Sequence, residues 1–153
     1  MSAGLTAMAA RVSGDLGAVA QAESIRARVA PLAAADAQAY REALAAMKSP
    51  AGETGEQRDD AIRRALVHAA EIPLQIAESA ATVASLAASV AERGSQAVRG
   101  DAAAAVLLSA AAARAAANLV AINLAAGVED ELVARARRVA EDAADSARFV
   151  LDL

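Results

Sequence analysis

Cysteine and tryptophan are absent from this chain of 153 residues, which holds one tyrosine, one phenylalanine and one histidine. Without cysteine there is no disulfide, no thiolate nucleophile and no sulfur ligand for a metal. The lone histidine, His68, leaves a protein-only zinc site without its usual donors, so no metal site is expected. With so few aromatics, no large side chain is available to fill a wide gap between packed elements. There is no basic run, and the net charge is −4, which argues against a nucleic-acid partner. No basic amphipathic stretch marks a membrane-surface helix. The opening residues, MSAGLTAMAARVSG, have no basic segment ahead of their apolar positions and read as helix, not as a signal peptide. Strand signals, internal repeats and low-complexity linkers are missing, and the glycine spacing fits neither a phosphate loop nor a dinucleotide fingerprint.

What the chain has in abundance is alanine, about a third of all residues. Alanine is the best helix former, and helices faced with it approach closely. A core must then be assembled from many small contacts between long helices. The expected fold is all-α: one domain over residues 1–153, an up-and-down bundle of about five Ala-rich helices, two of them interrupted by proline. The longest apolar stretch, Ala102 to Gly127, approaches the length of a membrane span. It carries Arg114, Asn118 and Asn123, however, and a central arginine alone costs about 2.5–3.5 kcal/mol on insertion scales. A helix too apolar to be exposed on any side, inside a cytoplasmic homodimer with no membrane partner, is the expectation.

The first helix spans about Ser2 to Val12 and stops at Ser13-Gly14. The second runs from about Leu16 to Met47 with Pro31 inside, which should kink or split it because proline lacks a donor and crowds the preceding turn. Turn residues cluster at 49–55, where Thr54 and Gln57 have capping-box spacing. A third helix follows with Ile62, Leu66, Ala69 and Ala70 on one face, passes Pro73 with a bend or break, and ends at Gly94 as a C′ glycine. A short loop leads to a restart at Asp101, and the fourth helix runs to about Ala126, ended by Gly127. The fifth, about Glu129 to Leu151, shows the stripe Leu132, Ala136, Val139, Ala143 and Val150, with Glu131 and Arg135 spaced for an i, i+4 pair.

Read by residue chemistry alone, Asp101 is an N-cap or first-turn carboxylate. Asn123 is either a packing device bonded to a neighbouring helix or a ligand contact, since a buried amide must find partners in both cases. Tyr40 either stacks on a flat ligand or sits at the core boundary with its hydroxyl in water. Lys48 suits a helix C-terminus by itself. Arg99 and Arg114 each need a carboxylate or an anionic ligand if buried. His68 belongs on the surface, having no companions at ligand spacing.

The segment Gly94 to Leu124, GSQAVRGDAAAAVLLSAAAARAAANLVAINL, resembles the core of the folate-dependent cyclodeaminase and methenyltetrahydrofolate cyclohydrolase family, the cyclodeaminase domain of formiminotransferase-cyclodeaminase. The pattern there reads approximately GN-x-x-A-x-SD, small apolar residues, then NV-x-INL. Two further segments match: Asp36-Ala-Gln-Ala-Tyr40 through Met47-Lys48-Ser49-Pro50, and Ala69-Ala70-Glu71-Ile72-Pro73-Leu74 with its mid-helix Ile-Pro-Leu. The resemblance covers Ala34 to Leu124 well and the last helix loosely. It implies one-carbon chemistry on a reduced folate as substrate, with no covalently bound cofactor. Formimino-tetrahydrofolate would be cyclised to methenyl-tetrahydrofolate with loss of ammonia, or methenyl-tetrahydrofolate hydrolysed. Asp101, at the SD position, is then the proton-transfer residue. Asp36, Tyr40, Lys48, Arg99, Asn118 and Asn123 fall to substrate binding. The chain departs from the pattern at Ser95, Gly100 and Ala51, where the family has Asn, Ser and Lys. It also puts Asn118 five residues before Asn123 where the family spacing is four, a rotation of about 100° around the helix. The Gly-rich start and Lys-rich segment of the family are not seen ahead of Asp36. These departures define the alternative: a non-catalytic dimeric helical protein that retains the fold with a degenerate site.

Overall fold

A computed structural model describes residues 1–48, 55–124 and 131–153. Among them every element is a helix: α1 Ser2–Val12, α2 Leu16–Val29, α3 Leu32–Lys48, α4 Gly55–Arg93, α5 Gln96–Asn123 and α6 Glu131–Leu151. Counting α2 and α3 as one helix interrupted at Pro31 gives the five expected, in an all-α bundle. The Thr54 half of the expected capping box, Ala51 and the stop at Gly127 lie outside the described residues.

The three long helices make the core, with α5 antiparallel to both α4 and α6. Ala70 and Leu74 near the middle of α4 pack with Ala117 and Val120 late in α5 and with Val133, Ala136 and Ala140 early in α6. At the opposite end, Ala84, Ala87 and Ala91 meet Val98, Ala102 and Ala105 of α5 and Ala143 and Val150 of α6. The fourth and last elements therefore use the faces that the sequence periodicity indicates. Few of the most deeply buried side chains exceed valine in size, so the helices are held by many short contacts. α1 and α2 form a hairpin against the Asp101 end, turning at Gly14, whose φ of +75° is left-handed and suits glycine. Asp15 starts α2 by accepting the Ala18 amide at 2.9 Å. α3 lies on the first half of α4, with Ala39 and Ala43 against Ala69 and Ile72.

The prolines behave differently from one another. At Pro31 the chain breaks, and the proline carbonyl accepts the Ala35 amide at 3.2 Å to open α3. At Pro73 α4 continues without a break, which leaves a bend as the form the expectation can take there. The proline is buried, with Ala70, Ile72, Leu74 and Ala77 buried around it, so packing on several sides outweighs a local cost of about 3 kcal/mol.

Three expectations are corrected. α5 starts at Gln96, not Asp101, with Ser95 extended before it. Burial of Val98 and Ala102, four residues apart, holds the earlier turns helical. Gly94 is not left-handed; its role is steric, as an added Cβ would lie 2.5 Å from the Val90 carbonyl oxygen. Finally, α5 is not covered on all sides in the single chain. Leu107, Leu108, Ala111, Ala112, Ala115, Leu119 and Ile122 form an open apolar stripe along it. α4 and α5 are both long and apolar enough, by length and composition, to cross a bilayer. The face α4 and α5 share with each other carries much of the core.

Candidate functional site

The residues singled out by the resemblance fall at two ends of the bundle. Asp101 is exposed in the second turn of α5, beyond the cap, so capping does not explain it. Arg99 is half-buried two residues earlier, and its Nε has no hydrogen-bond partner among the described residues. At the opposite end of α5, Asn118 is exposed and Asn123 is half-buried. The Asn123 amide nitrogen donates to the carbonyl oxygen of Ala69 on α4 at 2.7 Å, as the packing reading anticipates.

Asp36 and Tyr40, four residues apart, share a face of α3, while Lys48 lies about 120° around the helix from Asp36. Asp36 is half-buried, while Tyr40 and Lys48 are exposed, Lys48 as the last residue of its helix. Because α3 packs on the segment of α4 around Ala69 and Ile72, its residues belong to the Asn123 end. From Asp101 to Asn123 the helix advances by about 33 Å at 1.5 Å per residue. That exceeds the length of one folate molecule, so a single chain does not bring its proton-transfer candidate and its amides to one substrate.

Arg114 is exposed on the open face of α5, so its charge needs no buried partner. His68 is exposed as expected, with Nδ1 3.5 Å from Glu71. Arg135 does not turn to Glu131; its guanidinium reaches Glu78 of α4 at 2.6 Å and bridges two helices.

Two concavities stand out, and none of the candidates lines either. A groove of about 740 Å³ between α2, α4 and α6 presents Thr82, Ser85 and Ser89 with Glu78, Arg93 and Asp142. Its charges are largely spoken for, since Glu78 pairs with Arg135 and Arg93 with Asp15 at 3.2 Å. A more apolar cleft of about 340 Å³ is lined by Ile25, Val29, Ile76, Val83 and Ala112 and opens beside the α5 stripe. The Asp15–Arg93 pair, which ties the start of α2 to the end of α4, is a contact that no sequence expectation covers. Its signal was there in the order Gly14-Asp15, an acidic residue between a helix stop and a helix start.

The helix order, the Ile-Pro-Leu segment inside α4 and the Ile-Asn-Leu segment ending α5 all fit the pattern that the sequence resembles. No match was found among curated proteins. A profile of the formiminotransferase-cyclodeaminase family matches residues 1–142, which takes in all of α1 to α5 and half of α6. The chain belongs to the formiminotransferase-cyclodeaminase family.

Proposed function

We propose that the chain performs one-carbon chemistry on a reduced folate, as a formimino-tetrahydrofolate cyclodeaminase or a methenyl-tetrahydrofolate cyclohydrolase. The observation that carries this reading is the family match over residues 1–142, which includes every segment bearing the candidate residues. In cyclisation, N10 attacks the carbon of the N5 formimino group. A new C–N10 bond forms, N10 gives up its proton, the departing nitrogen takes one, and the C–NH₃⁺ bond breaks to release ammonia and leave the methenyl bridge. In hydrolysis, water adds to the methenyl carbon with loss of a proton, and a C–N bond then opens to give the formyl form. Each route needs one group that moves a proton and a surface that holds the pterin and its anionic tail. Asp101 takes the first role. Asp36, Tyr40, Lys48, Arg99 and Asn118 take the second, joined by Asn123 through its carbonyl oxygen, since its nitrogen is engaged by Ala69.

The separation of these residues is met by a homodimer. An antiparallel pairing of two α5 helices across their open stripe puts the Asp101 end of one copy beside the Asn123 end of the other. The midpoint between positions 101 and 123 falls at Ala112, where Ala111, Ala112 and Ala115 permit close backbone approach. The enzyme would act in the cytoplasm, with folate as its small-molecule partner. The test is direct: purified protein is mixed with methenyl-tetrahydrofolate or formimino-tetrahydrofolate, and the near-ultraviolet methenyl absorbance is followed. Loss of the band with the first substrate, or its growth with the second, supports the reading. A protein that neither binds nor converts either folate is instead the non-catalytic dimer.

A further inference from the structure

We propose that Asn123 stands in for the backbone donor that Pro73 lacks, so that the two residues form one interlock between α5 and α4. In an uninterrupted helix the amide of residue 73 would donate to the carbonyl of residue 69, four positions earlier. Pro73 has no N–H, and its ring crowds that same carbonyl, which leaves the Ala69 oxygen without its helical donor. Ala69 and Ala70 are both buried, so water is a poor substitute there, and an orphaned acceptor in such a place is costly. The Asn123 Nδ2 occupies that vacancy at 2.7 Å, from a position 54 residues away in sequence.

Three consequences follow from this arrangement. α4 can run from Gly55 to Arg93 with a proline inside because a side chain of another helix completes its ladder. The register of α5 against α4 is fixed, since sliding by one turn, about 5.4 Å, would take the amide out of reach. The rotamer of Asn123 is also set, so its nitrogen is committed to the fold. The Ile-Pro-Leu and Ile-Asn-Leu segments thus act as two halves of one contact. This inference is independent of the folate reading and holds for an inactive chain as well.

A double-mutant cycle at the two positions tests it, read by thermal melting of the full chain. Asn123→Ala removes the donor and should lower Tm by about 2–12 °C, the range expected for an unsatisfied buried acceptor in a chain of this size. Asn123→Asp, similar in shape but unable to donate when ionised, should lose at least as much. Pro73→Ala restores a backbone N–H for the Ala69 carbonyl. On that background Asn123→Ala should cost less than half of its cost beside proline. An equal cost in both backgrounds overturns the proposal. Hydrogen exchange provides a second readout if Pro73→Ala melts too low to measure. Asn123→Ala should then speed exchange both in the last turn of α5 and in α4 around Pro73, and acceleration confined to α5 overturns the interlock.

Discussion

One methyl group added at Gly94 and one added at Gly100 should shift stability in opposite directions. At Gly94 an ideal Cβ lies 2.5 Å from the Val90 carbonyl oxygen and 3.0 Å from both Ser13 Oγ and Val98 Cγ2. Ser13 and Val98 can yield by rotating, but Val90 O is backbone and accepts the Gly94 amide at 2.8 Å, the bond that closes α4. Relieving the overlap must therefore move the end of α4 or lose that bond. Overpacking of this kind costs about 1–3 kcal/mol, and the lower entropy of an unfolded alanine chain returns about 0.4–1 kcal/mol. A net loss of about 1–2 kcal/mol corresponds to about 2–8 °C in Tm for a protein of this length. At Gly100, inside α5 and exposed, nothing lies within 4 Å of the added carbon. Glycine in a helix interior is worse than alanine by about 0.8–1.0 kcal/mol, so Gly100→Ala should raise Tm by about 2–4 °C. Urea unfolding of both variants beside the parent separates the two effects. If Gly94→Ala proves as stable as the parent, the tight α4–α5 corner is not built as described. If Gly100→Ala lowers stability, that stretch is not the start of a helix.

Three further outcomes can be checked on the same preparations. Ser109 is fully buried in α5 and its hydroxyl has no partner among the described residues, so Ser109→Ala should stabilise by about 1 kcal/mol; a clear loss in urea unfolding would show that the hydroxyl is satisfied. Asp15→Ala should cost about 0.5–2 kcal/mol through its cap on Ala18, whereas Asp15→Asn should restore most of it, because the exposed pairing with Arg93 contributes little; equal losses would assign the effect to the ion pair. Sedimentation at micromolar concentration should give a dimer, and Leu108→Glu on the open face of α5 should give monomer at unchanged helicity; a monomeric parent refutes the pairing of α5 helices.

Much of the architecture is legible in the sequence because helix-forming alanines and periodic apolar positions report the same fact twice. The stop at Ser13-Gly14, the stripe from Leu132 to Val150 and the break at Pro31 are local signals with local outcomes. Gly100 and Asp101 look in sequence like loop and cap, whereas Val98 is buried in the cluster that holds Val90 and Ala91, a tertiary contact that favours helix from Gln96. At Pro73 the local penalty is legible, while the packing and the Asn123 amide that accompany an unbroken α4 are tertiary. The alternatives open to Asn123 are narrowed by one hydrogen bond that no spacing rule would supply. Candidate residues were legible through the family pattern, but their placement at opposite ends of α5 is a matter of helix length, which the pattern does not address. The open stripe on α5 reads in sequence as core, because composition does not tell an intrachain neighbour from a second copy.

The role of Asp101 is where the functional reading is most exposed to test. Asp101 is on the surface of α5 and caps nothing, so Asp101→Asn should leave the melt within about 0.5 kcal/mol of the parent, as for ordinary surface changes. Turnover of methenyl-tetrahydrofolate or formimino-tetrahydrofolate should fall by about 10²–10⁴-fold, the usual worth of a positioned acid or base. A variant of normal stability with that loss is the predicted result. An Asp101→Asn protein as active as its parent would contradict the account and remove this carboxylate from the mechanism.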